Sequence, residues 1–279
     1  MSIITVIIPH YNIPDLLVRC LNSIPDEERI QVIVVDNNSS PSKVNFENFP
    51  GIDRKHTEVV LDKEGNGAGH ARNVALEKIA SKWIVFADAD DFFNPGAFDE
   101  LLKYSDNDND LIIFKVGCVN SDTLIPANRD GILIDKAIDK YLQHEVVLDK
   151  VLFNNQAPWG KMIKSELIRK HNITFDEVKY ANDIMFSTKV ACNVSRVAVS
   201  AFELYTLTVR SGSLTSSNKS SEENFLCRME VKIRMNKYLQ QYKKPMLFLP
   251  SFLVSARNIG WHAVWSAFKL IMKNGMLLR

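Results

Sequence analysis

The chain has 279 residues, 46% hydrophobic and 24% charged, with a formal net charge of +1. That balance suits one large globular domain plus a smaller appendage, and near-neutral charge gives no global argument for nucleic-acid binding. Four scattered cysteines without metal-ligand spacing, no basic leader before Ile3 and no bilayer-length apolar run predict a cytoplasmic setting.

Residues 3–8 are a β-branched run that predicts a strand covered on both faces and stopped by Pro9. Asn12, Pro14 and Asp15 supply a cap, a first-turn proline and an acid at the positive end of a helix dipole. Leu16, Leu17, Cys20, Leu21 and Ile24 then recur at helical spacing until Pro25. Residues 30–35 are a second strand running into Asp36. A shorter strand at 58–61 precedes the glycine-rich loop 65–69 and a helix over 70–82. The apolar run Trp83-Ile84-Val85-Phe86 ends in Asp88-Ala89-Asp90-Asp91. This β-α-β-β-α-β alternation predicts a mostly parallel α/β sheet.

Ligands of such sheets bind off the carboxyl ends of the strands. Polar residues gather there: His10, Tyr11 and Asn12, then Asp36, then Asp88 and Asp90. If the chain stays extended, Asp88 and Asp90 point the same way, and two ionised carboxylates side by side are costly without a cation. On these residues two readings stand, a Mg²⁺ or Mn²⁺ site shared with a substrate phosphate or a solvated turn capping the next helix. A dinucleotide fold would need G-x-G-x-x-G after the first strand, where residues 9–14 contain no glycine; Walker A is absent too. Dehydrogenase and P-loop readings are therefore excluded.

Four segments in order, Thr5 to Asn12, Val34 to Ser39, Gly69 to Asn73 and Phe86 to Asp91, resemble the family 2 glycosyltransferases of GT-A fold, especially those of bacterial cell-surface polysaccharides. The resemblance implies inverting transfer from a nucleotide-sugar donor, commonly a uridine diphosphate sugar, to a glycan or lipid-linked glycan. It assigns Pro9 and Tyr11 to the base and ribose pocket, Asp36 to the base, and Arg72 to the base and phosphates. Asp88 and Ala89 would meet the donor, and Asp88 and Asp90 would hold Mn²⁺ or Mg²⁺, a Lewis acid for the diphosphate leaving group. Asp91 is expected to cap a helix at 95–104.

Residues 111–116 predict another strand, 125–131 a surface loop and 134–153 one or two helices. Trp159-Gly160-Lys161 resembles the family's W-x-K segment, implying acceptor contacts from Trp159 and Lys161. Residues 182–186 resemble its E-D-x-x-F segment with Asn182 in place of the glutamate; Asp183 is then the expected general base, with a helix N-cap as its alternative role. Tyr205 to Thr215 resembles a family ending in which Arg210 would clamp the donor phosphates.

The GT-A domain is expected to span 1–220, with a nucleotide half to about 115 and an acceptor half to 220, followed by a helical extension over 221–279. From Ser251 one helix with a narrow polar stripe and a wide apolar face is expected, facing the rest of the protein, a second subunit or the membrane interface at the inner surface. A nucleotidyltransferase, or an inactive nucleotide-sugar binding module, are the competing functions.

Overall fold

The structure, a computed structural model, describes residues 2–127, 131–210, 221–244, 246, 249 and 251–274. Its first half runs β1 (Ile4–His10), α1 (Pro14–Asn22), β2 (Ile30–Asn37), β3 (Thr57–Asp62), α2 (Ala68–Leu76), β4 (Trp83–Phe86), β5 (Phe92–Phe93) and α3 (Ala97–Lys103). The second half runs β6 (Leu111–Asn120), α4 (Gly131–Leu142), α5 (Leu148–Asn154), β7 (Lys161–Lys164), α6 (Ser165–Lys170), α7 (Ile184–Asn193) and β8 (Val197–Val209). Three helices follow: α8 (Glu222–Gln241), α9 (Ser251–Arg257) and α10 (Trp261–Lys273).

The eight strands form one mixed sheet in the order β3-β2-β1-β4-β7-β6-β8-β5. The β3-β2-β1-β4 block and the β6–β8 pair are parallel, while β7 runs antiparallel to β4 and β6. Continuous apolar runs become the central strands because both faces are covered: Ile4, Val6, Ile7, Ile8, Val34 and Val85 are all fully buried. Each such side chain contributes about 1.5–3 kcal/mol on leaving water.

Pro9 does not stop β1, which continues to His10 opposite Asp36. Ile7 accepts from the Ala87 N–H on the β4 side, and β4 ends there. Pro9 faces that same side two residues on, where no ladder partner waits for the N–H it lacks. Of the loop expected over 125–131, Ile125 is exposed, Pro126 turns back on β6 through a bridge to Val119, and Gly131 already opens α4; residues 128–130 lie outside the described residues.

The acidic stretch is a turn rather than extended chain, closed by the Asp91 N–H on the Asp88 carbonyl. Asp91 is fully buried and accepts from the Thr208 N–H at 2.6 Å and the Tyr205 hydroxyl at 3.3 Å. It therefore ties the turn to β8 and does not cap α3, whose N-cap is Gly96. Asp91→Ala would leave buried donors unpaired, and a loss of about 3 kcal/mol of stability is expected in denaturant titration.

The anticipated boundary near 220 falls among residues 211–220, outside the described residues, as do Ser211 to Thr215 of the Arg210 segment, Pro245 and Pro250. On the far side, α8 packs against α7 through Val231, Met235 and Leu239 on Ile184 and Met185. The single helix expected from Ser251 is two, interrupted at Gly260, whose φ of 145° is not helical. Among the described residues no helix is long and apolar enough to cross a membrane.

Candidate active site

The ends of β1 and β2 are joined by a buried polar knot. His10 Nδ1 lies 2.7 Å from Asp36 Oδ1, and Ser39 donates through its hydroxyl at 2.6 Å and its N–H at 2.9 Å to the same carboxylate. His10 Nε2 accepts from the Ile13 N–H, so the ring takes its Nδ1–H tautomer and donates to Asp36. Burial pushes the Asp36 carboxyl up, but these bonds outweigh it and hold it below the usual carboxylate range. Asp36 is 1% exposed with one oxygen carrying two of its three bonds, so only Oδ2 retains capacity for a base N–H. Asn12, held at positive φ, bridges to Ser39 and Ser40 and closes the same corner. Tyr11 stands out from it at 57% exposure.

Asp88 and Asp90 are each met by an arginine. Arg72, on α2 and buried, donates to Asp88 Oδ1 at 2.6 Å and to Asn182 Oδ1 at 3.0 Å, with its guanidinium over the Phe175 ring. Arg210, at the end of β8, reaches Asp90 Oδ2 at 3.2 Å. The intervening Ala89 is buried, so its side chain offers a ligand little surface. Two residues that the sequence did not single out set this turn. Arg19 donates to the Asp90 carbonyl and to Ser121, and the Asp88 N–H bonds the Tyr205 hydroxyl at 2.7 Å. A tyrosine opening the Arg210 segment was the only signal for either.

Asp183 stands at the N-cap position of α7, yet its side chain makes no capping bond. Burial raises its pKa; Arg72 opposes that rise and Asp88 adds to it. The irregular segment before it is clamped to α2, because Asn73 both donates to the Phe175 carbonyl and accepts from its N–H. Phe175 in turn stacks on Phe186 at 3.9 Å between ring centroids. From the other side, Arg234 of α8 pairs with Asp176 at 2.8 Å. Thus Arg72, Asp88, Asn182 and Asp183 are brought to one wall although up to 111 positions separate them in sequence.

The W-x-K segment differs from the expectation of an open acceptor surface. Trp159 is 7% exposed, and Lys161 lies in β7, buried, with Nζ bonded to the Asn155 and Ala157 carbonyls at 2.7 Å each. Burial pushes the Lys161 ammonium down to about 7, with Asp183 opposing. The two-carbonyl cage thus leaves the Lys161 ammonium turned inward, and neither side chain presents an open face to an acceptor.

Among the described residues no cluster of three or more ligating side chains is present. A cation that keeps several waters and takes substrate phosphate oxygens needs only one or two protein carboxylates; Asp88 and Asp90 would be those carboxylates once Arg72 and Arg210 turn from them.

The model of the family described as glycosyl transferase family 2 matches residues 5–169. The chain belongs to glycosyl transferase family 2. A poly(ribitol-phosphate) beta-glucosyltransferase of Bacillus spizizenii is 27% identical over 81% of this chain and 36% of its own length. The poly(ribitol-phosphate) beta-N-acetylglucosaminyltransferase TarS of Staphylococcus aureus is 27% identical over 79% of this chain and 38% of its own. The chain therefore spans little more than a third of these relatives. TarS residues 1–349 in complex with UDP-GlcNAc superpose with a TM-score of 0.66 at 19% identity, covering 98% of this chain and 89% of that one. A mannosyltransferase of Pyrobaculum calidifontis in complex with GDP-Man and Mn²⁺ gives 0.57 at 18%, covering 97% and 75%. The fold of this family 2 chain is accordingly GT-A, a mixed α/β sheet with a helical C-terminal region.

Proposed function

We propose that this chain is an inverting glycosyltransferase that moves a sugar from a nucleotide-sugar donor, a uridine diphosphate sugar first among them, to a hydroxyl of a bacterial cell-envelope glycan. The observation that carries the reading is Asp183: a carboxylate at a helix N-cap that is not spent on capping, raised by burial, and tied through Asn182 and Arg72 to Asp88. The nucleotide would lie over Tyr11 and the Asp36 knot, with its diphosphate against the Asp88–Asp90 turn. Arg72 and Arg210 would turn part of their charge from the carboxylates to the phosphates. Asp88 and Asp90 would hold Mn²⁺ or Mg²⁺, which supplies Lewis-acid neutralisation of the leaving diphosphate when bound. Asp183 takes the acceptor hydroxyl's proton as that oxygen attacks the anomeric carbon; the bond from that carbon to the diphosphate breaks, and the nucleoside diphosphate leaves with its electron pair. The relatives named for poly(ribitol-phosphate) support an acceptor of that class, and we assign residues 1–220 to the transferase domain with 221–279 as its helical brace.

The test is release of nucleoside diphosphate from a panel of nucleotide sugars, with poly(ribitol phosphate) as acceptor. Consumption of one donor with Mn²⁺ and little or none with EDTA is expected. Failure to consume any nucleotide sugar with acceptor and metal present counts against the reading.

A further inference from the structure

The last acidic residue of the chain is Glu230; residues 231–279 hold nine lysines and arginines and no aspartate or glutamate. Since the chain totals +1, its first 230 residues carry a net −8, so the cationic charge is concentrated in residues 231–279. Within them α10 presents two opposite faces. Ala263, Ala267 and Ile271 are buried, the last two in one cluster with Met229 and Ile233 of α8. The outward face carries Trp261 at 72% exposure, Trp265 at 62% and Met272 at 51%, and Phe268 meets Trp265 edge-on at 6.0 Å. At 100° per residue these four fall in one arc of about 60°. Lys269 and Lys273 are exposed along one flank of that arc, and His262 beside them is paired with Glu222 at 2.6 Å.

We propose that α10 seats this chain on an anionic lipid bilayer, the aromatic arc entering the headgroup region and the lysine flank meeting lipid phosphates. Indole rings and a methionine exposed together are costly in water and gain by lying at the boundary between headgroups and acyl chains, and adjacent lysines add attraction to anionic lipid. An isologous contact with a second copy fits less well, because it would set two strongly cationic regions against each other. A nucleic acid would answer the charge but leave the thioether and the apolar arc without an apolar partner. The charge and exposure of α10 are independent of the donor chemistry.

The experiment is co-sedimentation of the full chain with vesicles of phosphatidylcholine, with and without phosphatidylglycerol, and tryptophan quenching by brominated acyl chains. Of the four tryptophans, Trp83 and Trp159 are buried, so quenching reports on Trp261 and Trp265. Binding to the anionic vesicles with quenching is expected. The W261S/W265S double variant should bind roughly tenfold more weakly at an unchanged melting temperature, and K269E/K273E should show a similar loss. No sedimentation with anionic vesicles, binding without quenching, or unaltered binding of the tryptophan variant each overturns the proposal. So does concentration-dependent dimerisation that the tryptophan variant abolishes, which would assign the face to a second copy. UDP titration of the same variants, expected to match the parent chain, separates a failure here from a failure of the donor reading.

Discussion

Asp183→Asn is expected to lower kcat by about 10³-fold while leaving donor affinity close to that of the parent chain, because the amide keeps the shape of the side chain and loses only its capacity to take a proton. The pH dependence follows from the same group. Its carboxyl must be ionised to act, and its pKa is raised by burial, so the acid limb of the rate profile should fall at a higher pH than an ordinary aspartate gives. Stability moves the other way. A folded pKa raised above the unfolded one favours the protonated form of the folded chain, a contribution present below the unfolded pKa and lost as pH rises through the folded one. Near neutral pH the ionised Asp183 therefore costs stability. Asp183→Asn should melt higher than the parent there, with the gap closing in acid. A variant both inactive and less stable at neutral pH would contradict a raised pKa at this half-buried carboxylate.

Gly69→Ala is the second large effect. A Cβ at residue 69 would stand 2.2 Å from the Asp176 carbonyl oxygen and 3.1 Å from the Asn182 Cβ. The first of these is backbone and cannot swing away, so the 176–183 segment must back off from α2. That movement would lengthen the Arg72–Asn182 bond and carry Asp183 out of line with the reacting carbon. Displacements of about 1 Å at such a point cost roughly 10²-fold in rate. We expect kcat to fall by about that factor with the donor KM changed far less, measured by steady-state kinetics beside a melting curve. An unchanged kcat would mean that the α2 contact does not position the base.

The parallel half of the fold was legible because its strands are buried on both faces and announce themselves as unbroken β-branched runs. β7 was not, because four residues following Trp159 and Gly160 give too short a run to distinguish a strand from a loop. Pro9 misled for a local reason: a proline is tolerated where the neighbouring strand has already ended, and sequence does not reveal where β4 ends. The site was legible as residue types at strand ends, but its pairings were not. Arg72 with Asn182, Arg210 with Asp90 and Arg19 with the Asp90 carbonyl each join residues more than 70 positions apart. Asp91 shows the limit most plainly, since the same acidic triplet yields two ion-paired carboxylates at the surface of the turn and one fully buried on β8.

Calorimetric titration of UDP and UDP-sugars into the parent chain, Asp90→Asn and Asp183→Asn, each with Mn²⁺ and with EDTA, bears most directly on the central claim of a nucleotide-diphosphate site separate from its base. Such a site gives binding that Mn²⁺ strengthens in the parent chain, loss of that metal-dependent gain in Asp90→Asn, and parent-like binding in Asp183→Asn. Absence of binding by the parent chain to any nucleoside diphosphate or its sugar, with metal or without, would contradict it.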